Sequence, residues 1–157
     1  MDLIKNMMSR FWLPMAVAAG TSMAHMPGQA QLADKAAAQA MVAKGVAAIQ
    51  TDGWKALVEM TAPRKTYVDR DLYLAVYDMN GKCMAHGQNS KQVAKNLLTV
   101  KDPDGKEFVR ERVTLAQSQN SFWQEYKFTN PVTKAVQSKL AYCERANDLI
   151  VCGGIYK

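Results

Sequence analysis

The dipeptide Asn80-Gly81 constrains this chain more than any other pair of residues. Both residue types tolerate positive φ, so Asn-Gly between two apolar runs is the strongest short-range signal for a β-hairpin. The flanking runs are 72–78, rich in aromatic and aliphatic residues, and 82–86. A two-residue turn would pair 77 with 84 and 75 with 86, and opposed residues share a face of the sheet. Tyr73, Ala75, Tyr77, Met84 and His86 then line one face. Leu72, Leu74, Val76, Cys83 and Ala85 line the other. The second face is uniformly apolar and is expected to lie under helices. The first mixes hydroxyls and an imidazole with apolar surface, which suits the wall of a pocket.

The rest of the chain supplies partners for this hairpin. Residues 33–50 are rich in alanine, and Ala38, Met41, Val42, Gly45, Val46 and Ile49 recur at helical steps. Thr51-Asp52-Gly53 interrupts that stripe, Trp54, Leu57 and Val58 resume it, and Pro63 ends it. Asp102-Pro103-Asp104-Gly105 has the residues of a type I turn. Phe108, Val109, Arg112, Val113 and Ala116 form a further helical stripe. Residues 122–128, 135–144 and 149–156 read as three strands, turned at Asn130-Pro131 and at Ala146-Asn147-Asp148. Helix, two strands, short helices and three strands describe one α+β domain with an antiparallel sheet. A chain of 157 residues, 48% of them hydrophobic, is long and apolar enough to build that core.

The first thirty residues stand apart. Lys5 and Arg10 precede an uncharged stretch from Phe11 to Ala24, and Gly28-Gln29-Ala30 places small residues where a signal peptidase cuts. Residues 1–30 are therefore expected to be a signal peptide, residues 31–157 the mature domain, and the compartment the periplasm. Without the leader the chain keeps 18 basic and 13 acidic groups, a formal charge of +5. The basic residues are scattered and form no stripe, so nucleic acid is not an expected partner.

Several pieces, taken in order, resemble the single Cache domain family. They are residues 71–81, Met84-Ala85-His86, Lys95-Asn96-Leu97-Leu98 and residues 101–111. They continue through Tyr126-Lys127, Asn130-Pro131-Val132-Thr133, Lys139, Tyr142 and the closing Gly154-Ile155-Tyr156-Lys157. Gly87 and Ala94 depart from the proline and glycine usual in the family. The resemblance spans roughly residues 35–157. It implies a PAS-like fold: a five-stranded antiparallel sheet, a long N-terminal helix on one face and a ligand cavity on the other. It also implies extracytoplasmic sensing of a small molecule, often a short carboxylate, by a stand-alone exported domain. A membrane-bound signalling protein is the expected partner, and no cofactor or intrinsic catalysis is implied.

Lys139 falls in a strand otherwise carrying Leu140, Ala141 and Tyr142, and a lysine turned inward is costly unless paired. It is the first candidate for holding an anion, against the alternative of a lysine snorkelling from an edge. Tyr126, Tyr73, Tyr142 and Trp123 are candidate walls, each with a polar tip. His86 closes the second strand and is a candidate donor to a bound anion, or a brace for the loop after it. Asp102 reads mainly as a brace for its own turn. A small enzyme working through Tyr126 or Asp102, or an adaptor with a vestigial cavity, are the competing readings.

Cys143 and Cys152 are equidistant from the Asn147-Asp148 turn. A two-residue turn makes them a directly opposed pair, close enough for a disulfide that export would permit. A slip of one residue would remove it. Cys83 and His86 are three apart on a strand. They are expected to point to opposite faces, Cys83 toward the helices, and so share no metal.

Overall fold

The computed structural model describes residues 33–157, so the expected signal peptide lies outside the described residues. Helix α1 spans Lys35–Asp52. The Asp34 carboxylate caps its N-terminus by accepting from the Ala37 N–H, and Gly53, at φ 56°, ends it. Ala38, Val42, Gly45 and Ile49 are its buried residues, which is the stripe seen in the sequence. Full burial of a side chain such as Val42 or Ile49 contributes about 1.5–3 kcal/mol.

Helix α2 spans Trp54–Thr61 and departs from expectation. It buries Ala56 and Met60, whereas Trp54 is 72% and Val58 49% exposed. The small alanine lets the helix sit close to the core, and the larger apolar side chains are turned away.

Six strands form one antiparallel sheet, not five. They are β1 (Val68–Asp69), β2 (Leu72–Asp78), β3 (Cys83–His86), β4 (Ser121–Thr129), β5 (Val136–Ala146) and β6 (Leu149–Tyr156). The extra strand, β1, has two residues and folds back on β2 through Arg70 at φ 59°, too short to show any sequence period. The order runs β2-β6-β5-β4, with β1 and β3 both pairing with β2. A single 3₁₀ turn, Ser90–Gln92, follows β3, and helix α3 (Phe108–Ser118) precedes β4. Helix α1 covers one face of the sheet, and the start of α3 packs over the other beside Tyr77 and Tyr126.

The Asn80-Gly81 turn has three residues rather than two. Asp78 pairs with Lys82, and the Asp78 Oδ1 accepts from the Asn80 and Lys82 N–H groups. Gly81 alone of the pair has positive φ, at 76°. This three-residue loop shifts the pairing by one, so Tyr77 faces Cys83. The register then recovers through a bulge at Met84, so that Val76 faces Ala85 and Ala75 faces His86. Two expectations fall with the bulge. Cys83 lies on the face of Ala75 and Tyr77 rather than toward α1, while Met84 packs with the α1 cluster. Cys83 and His86 therefore share a face, and the geometric reason for keeping them apart does not hold.

The second hairpin behaves as expected. Asn147 and Asp148 make a two-residue turn, Cys143 faces Cys152 with Cα atoms 4.1 Å apart, and the two are disulfide-bonded. The bond packs with Val113, Ala116 and Phe122 between α3 and the sheet. Asp102 sits outside the sheet. Its carboxylate accepts from the Asp104, Lys106 and Lys127 N–H groups, tying its turn to β4.

Candidate ligand-binding site

The sheet face away from α1 carries Tyr73, Ala75 and Tyr77 from β2, Tyr126 and Phe128 from β4, and Lys139 and Ala141 from β5. Strand alternation places them together. Phe108 and Arg112 come down from α3, and His86 closes one side. They enclose a cavity of about 20 Å³, room for a single water molecule. An outer cleft of about 290 Å³ shares Tyr73, His86 and Phe128 with it and continues past Asn130.

Two cations face this space. Lys139 is 3% exposed. Its Nζ lies 3.7 Å from the centre of the Tyr73 ring and donates to the Tyr156 hydroxyl at 3.3 Å. That hydroxyl in turn donates to the Thr129 carbonyl. Burial, with the Arg112 charge adding to it, holds the Lys139 ammonium well below the ordinary lysine range. The stem of Lys139 lies across β6 at Gly154, where a Cβ would stand 2.4 Å from Lys139 Cε. Glycine is what lets the lysine reach inward.

Arg112 is 1% exposed and stays charged at any ordinary pH. Its guanidinium carbon is 4.9 Å from the Tyr77 ring centre and 5.4 Å from that of Tyr126. Its Nε donates to the Gln124 side-chain oxygen, which Gln124 holds in place by donating to the Phe108 carbonyl and the Glu111 carboxylate. Its Nη2 is buried with no hydrogen-bond partner. Among the described residues neither Arg112 nor Lys139 is in an ion pair, and no carboxylate lines the cavity. Buried cations are normally paired; here the buried Asp71 carboxylate offsets part of the cost of the Lys139 charge without forming an ion pair with it. The Asn130 Nδ2, at the outer cleft, is a second buried donor without a partner.

His86 braces the loop that follows it. Its Nδ1 accepts from the Gln88 and Asn89 N–H groups, so the ring braces the loop and carries its proton on Nε2. Burial, then the Lys139 and Arg112 charges, push its pKa down to about 4, so it is neutral at pH 7. The ring stands 5.1 Å from that of Tyr73.

Of the six residues singled out from sequence, Lys139, Tyr126, Tyr73 and His86 are brought together here. Trp123 and Tyr142 are not. Their rings lie 5.0 Å apart on the α1 face, with Lys35 over Trp123 and the Tyr142 hydroxyl donating to Glu144. Strand alternation separates Trp123 from Tyr126, and Tyr142 from Lys139, since each pair is three residues apart. Tyr77 was placed on the pocket face without being named a site residue, and Arg112, Phe108 and Phe128 were not singled out. For Arg112 a signal existed: it is the one charged residue in an otherwise apolar helical stripe.

A comparison with known proteins fits this geometry. The family model described as "Single Cache domain 2" matches residues 19–156. The chain belongs to the single Cache domain 2 family. Such domains are extracytoplasmic sensor domains with the PAS-like fold seen here. A methyl-accepting chemotaxis protein from Vibrio parahaemolyticus has a similar structure, at 25% identity and a TM-score of 0.66, over 78% of this chain and 87% of that one. A Cache chemosensory domain described for carboxylic acid recognition shares the fold at 21% identity and a TM-score of 0.61, over 75% and 86% of the two chains. In sequence, the Cache domain is 32% identical over 73 residues to the sensor histidine kinase MctS of Rhizobium johnstonii. Those residues are 46% of this chain but only 16% of that kinase.

Proposed function

We propose that this Cache domain binds a short organic carboxylate in the periplasm and reports its presence to a membrane-bound signalling protein, without chemical conversion. The observation that carries the reading is the convergence of two buried, unpaired cations on one aromatic-walled space. A carboxylate would accept from Arg112 Nη2, Lys139 Nζ and His86 Nε2, turning a buried charge imbalance into paired, charge-assisted bonds. A cavity of about 20 Å³ holds less than a carboxylate. Entry therefore requires the Tyr73, His86 and Phe128 side chains, shared with the outer cleft, to shift. The carboxylic acid recognition described for a structural neighbour points the same way.

A thermal-shift series with acetate, propionate, lactate and pyruvate tests the proposal, each acid paired with its uncharged amide. The acid should raise the melting temperature and the amide should not, because a ligand of the native state stabilises it by mass action. Arg112→Met should weaken binding by about 2–3 kcal/mol, that is 30-fold or more, by removing a charged hydrogen-bond donor. No response to any acid from a folded protein sinks the proposal.

Where the pH lies above the depressed pKa of Lys139, binding should also take up a proton. The bound anion raises the depressed pKa of Lys139, so affinity falls as pH rises through the interval between its empty and occupied values. Calorimetry in two buffers of different ionisation enthalpy should give different heats, and equal heats would contradict this. Tyr142→Phe provides the control. It removes one partly buried bond to Glu144 on the far face, costs about 0.5–1.5 kcal/mol of stability and leaves acid binding unchanged.

A further inference from the structure

The outer side of α2 carries exposed apolar residues. Trp54, Leu57, Val58 and Thr61 are spaced i, i+3, i+4 and i+7, so they form one stripe along the helix. With Met84 and Val93 they line an open apolar groove of about 530 Å³. The buried stripe of α2, Ala56 and Met60, is a different one; Leu57 and Met84 pack half-buried against the core at the base of the groove, while Trp54 and Val58 are left exposed. The groove is also tied to the ligand cavity. The Thr61 hydroxyl accepts from the His86 N–H, and Val93 follows the loop that the His86 ring braces.

The surrounding charge indicates what fits. Six exposed basic residues, Lys55, Arg64, Lys65, Lys82, Lys91 and Lys95, lie within two positions along the chain of a groove residue, against two acidic ones, Asp52 and Glu59. A second copy would bring the same excess of basic neighbours and be repelled. A flat membrane surface would not fill a concave groove. We infer that the groove docks an amphipathic helix with acidic flanks from a partner protein, its apolar residues entering beside Trp54 and Val58.

The test uses the full chain and a synthetic helical peptide carrying leucines at i, i+3, i+4 and i+7, flanked by glutamates. The same peptide with lysine flanks and vesicles of phosphatidylglycerol with phosphatidylcholine are the comparisons. Fluorescence anisotropy should show the acidic peptide binding at least about tenfold tighter than the basic one, with the difference shrinking at high salt. Val58→Asp should weaken it by about tenfold or more. Since Val58 is half exposed, the fold should survive, which circular dichroism checks. The charge reversal Lys55→Glu with Arg64→Glu should weaken the acidic peptide and strengthen the basic one. Equal binding of both peptides overturns the inference, as does insensitivity to Val58→Asp. Vesicle binding without peptide binding would assign the surface to lipid, and a dimer dispersed by Val58→Asp would assign it to a second copy; either overturns it. These results do not depend on the carboxylate reading, so each proposal can fail alone.

Discussion

Lys139→Met should raise the melting temperature and abolish the response to carboxylates. The lysine is buried without an acidic partner, and methionine fills a similar volume with no charge to desolvate. The gain should be on the order of 1–3 kcal/mol near neutral pH, or several degrees at roughly 2–8 °C per kcal/mol for a domain of this size. The pH dependence follows from the depressed pKa. Below the folded-state value, lysine is charged both folded and unfolded, and the full cost of burying the charge is felt. As pH rises from that value to the unfolded one, folding sheds a proton and the wild type regains stability. The advantage of methionine should therefore be largest at low pH and shrink toward the ordinary lysine range. Melting curves of both proteins from pH 5 to 10, with and without an organic acid, give the answer. If methionine lowers the melting temperature, the ammonium stabilises the fold and is not kept for a ligand alone. A gain in stability with loss of binding is the pattern of a residue kept for its ligand.

The second large effect concerns Cys143–Cys152. The bond closes a loop with a sequence separation of 9. Chain entropy then assigns it roughly 2.5 kcal/mol at 25 °C. Cys143→Ser with Cys152→Ser should cost about that much, plus the burial of two hydroxyls in an apolar cluster with Val113, Ala116 and Phe122. Urea unfolding should show the loss in the midpoint. A reductant should move the wild type the same way and leave the double variant alone. An unchanged midpoint would mean that the Asn147-Asp148 turn already restricts the unfolded chain as much as the covalent link does. Because Cys152 also lines the ligand cavity, acid binding should be measured on the double variant too.

What the sequence made legible, and what it hid, follows physical lines. The α1 stripe, the Asn147-Asp148 turn and the opposition of Cys143 to Cys152 come from local periodicity and turn chemistry, and these the structure keeps. The Met84 bulge was hidden because Asn-Gly serves both a two-residue turn and a three-residue loop with Gly81 alone at positive φ. The choice was made by the Asp78 carboxylate, whose two backbone bonds favour the longer loop. One residue of shift moved Cys83 to the cavity face. In the site, Tyr73, Tyr126 and Lys139 have the right strand parity, Phe128 of the same parity was passed over, and Trp123 and Tyr142, of the wrong parity, were drawn in by residue type alone. Arg112 arrives from a helix crossing the sheet, and no strand pattern reports what a helix carries over it. The exposure of Trp54 was invisible for a related reason. Apolar spacing shows that a helix has a sticky side, but Ala56 and Met60 decide which side the core takes.

Two adjacent glycines in β6 divide the labour of the sheet between its faces. A Cβ on Gly153 would press on Val42 of α1, and one on Gly154 would collide with the Lys139 stem. The bottom of the basin at this point is thus bare main chain, with nothing for substitution to enlarge or trim. At this point the size of the cavity is set by the rings around it, such as Tyr73 and Phe128, and by the depth to which the Lys139 amine reaches.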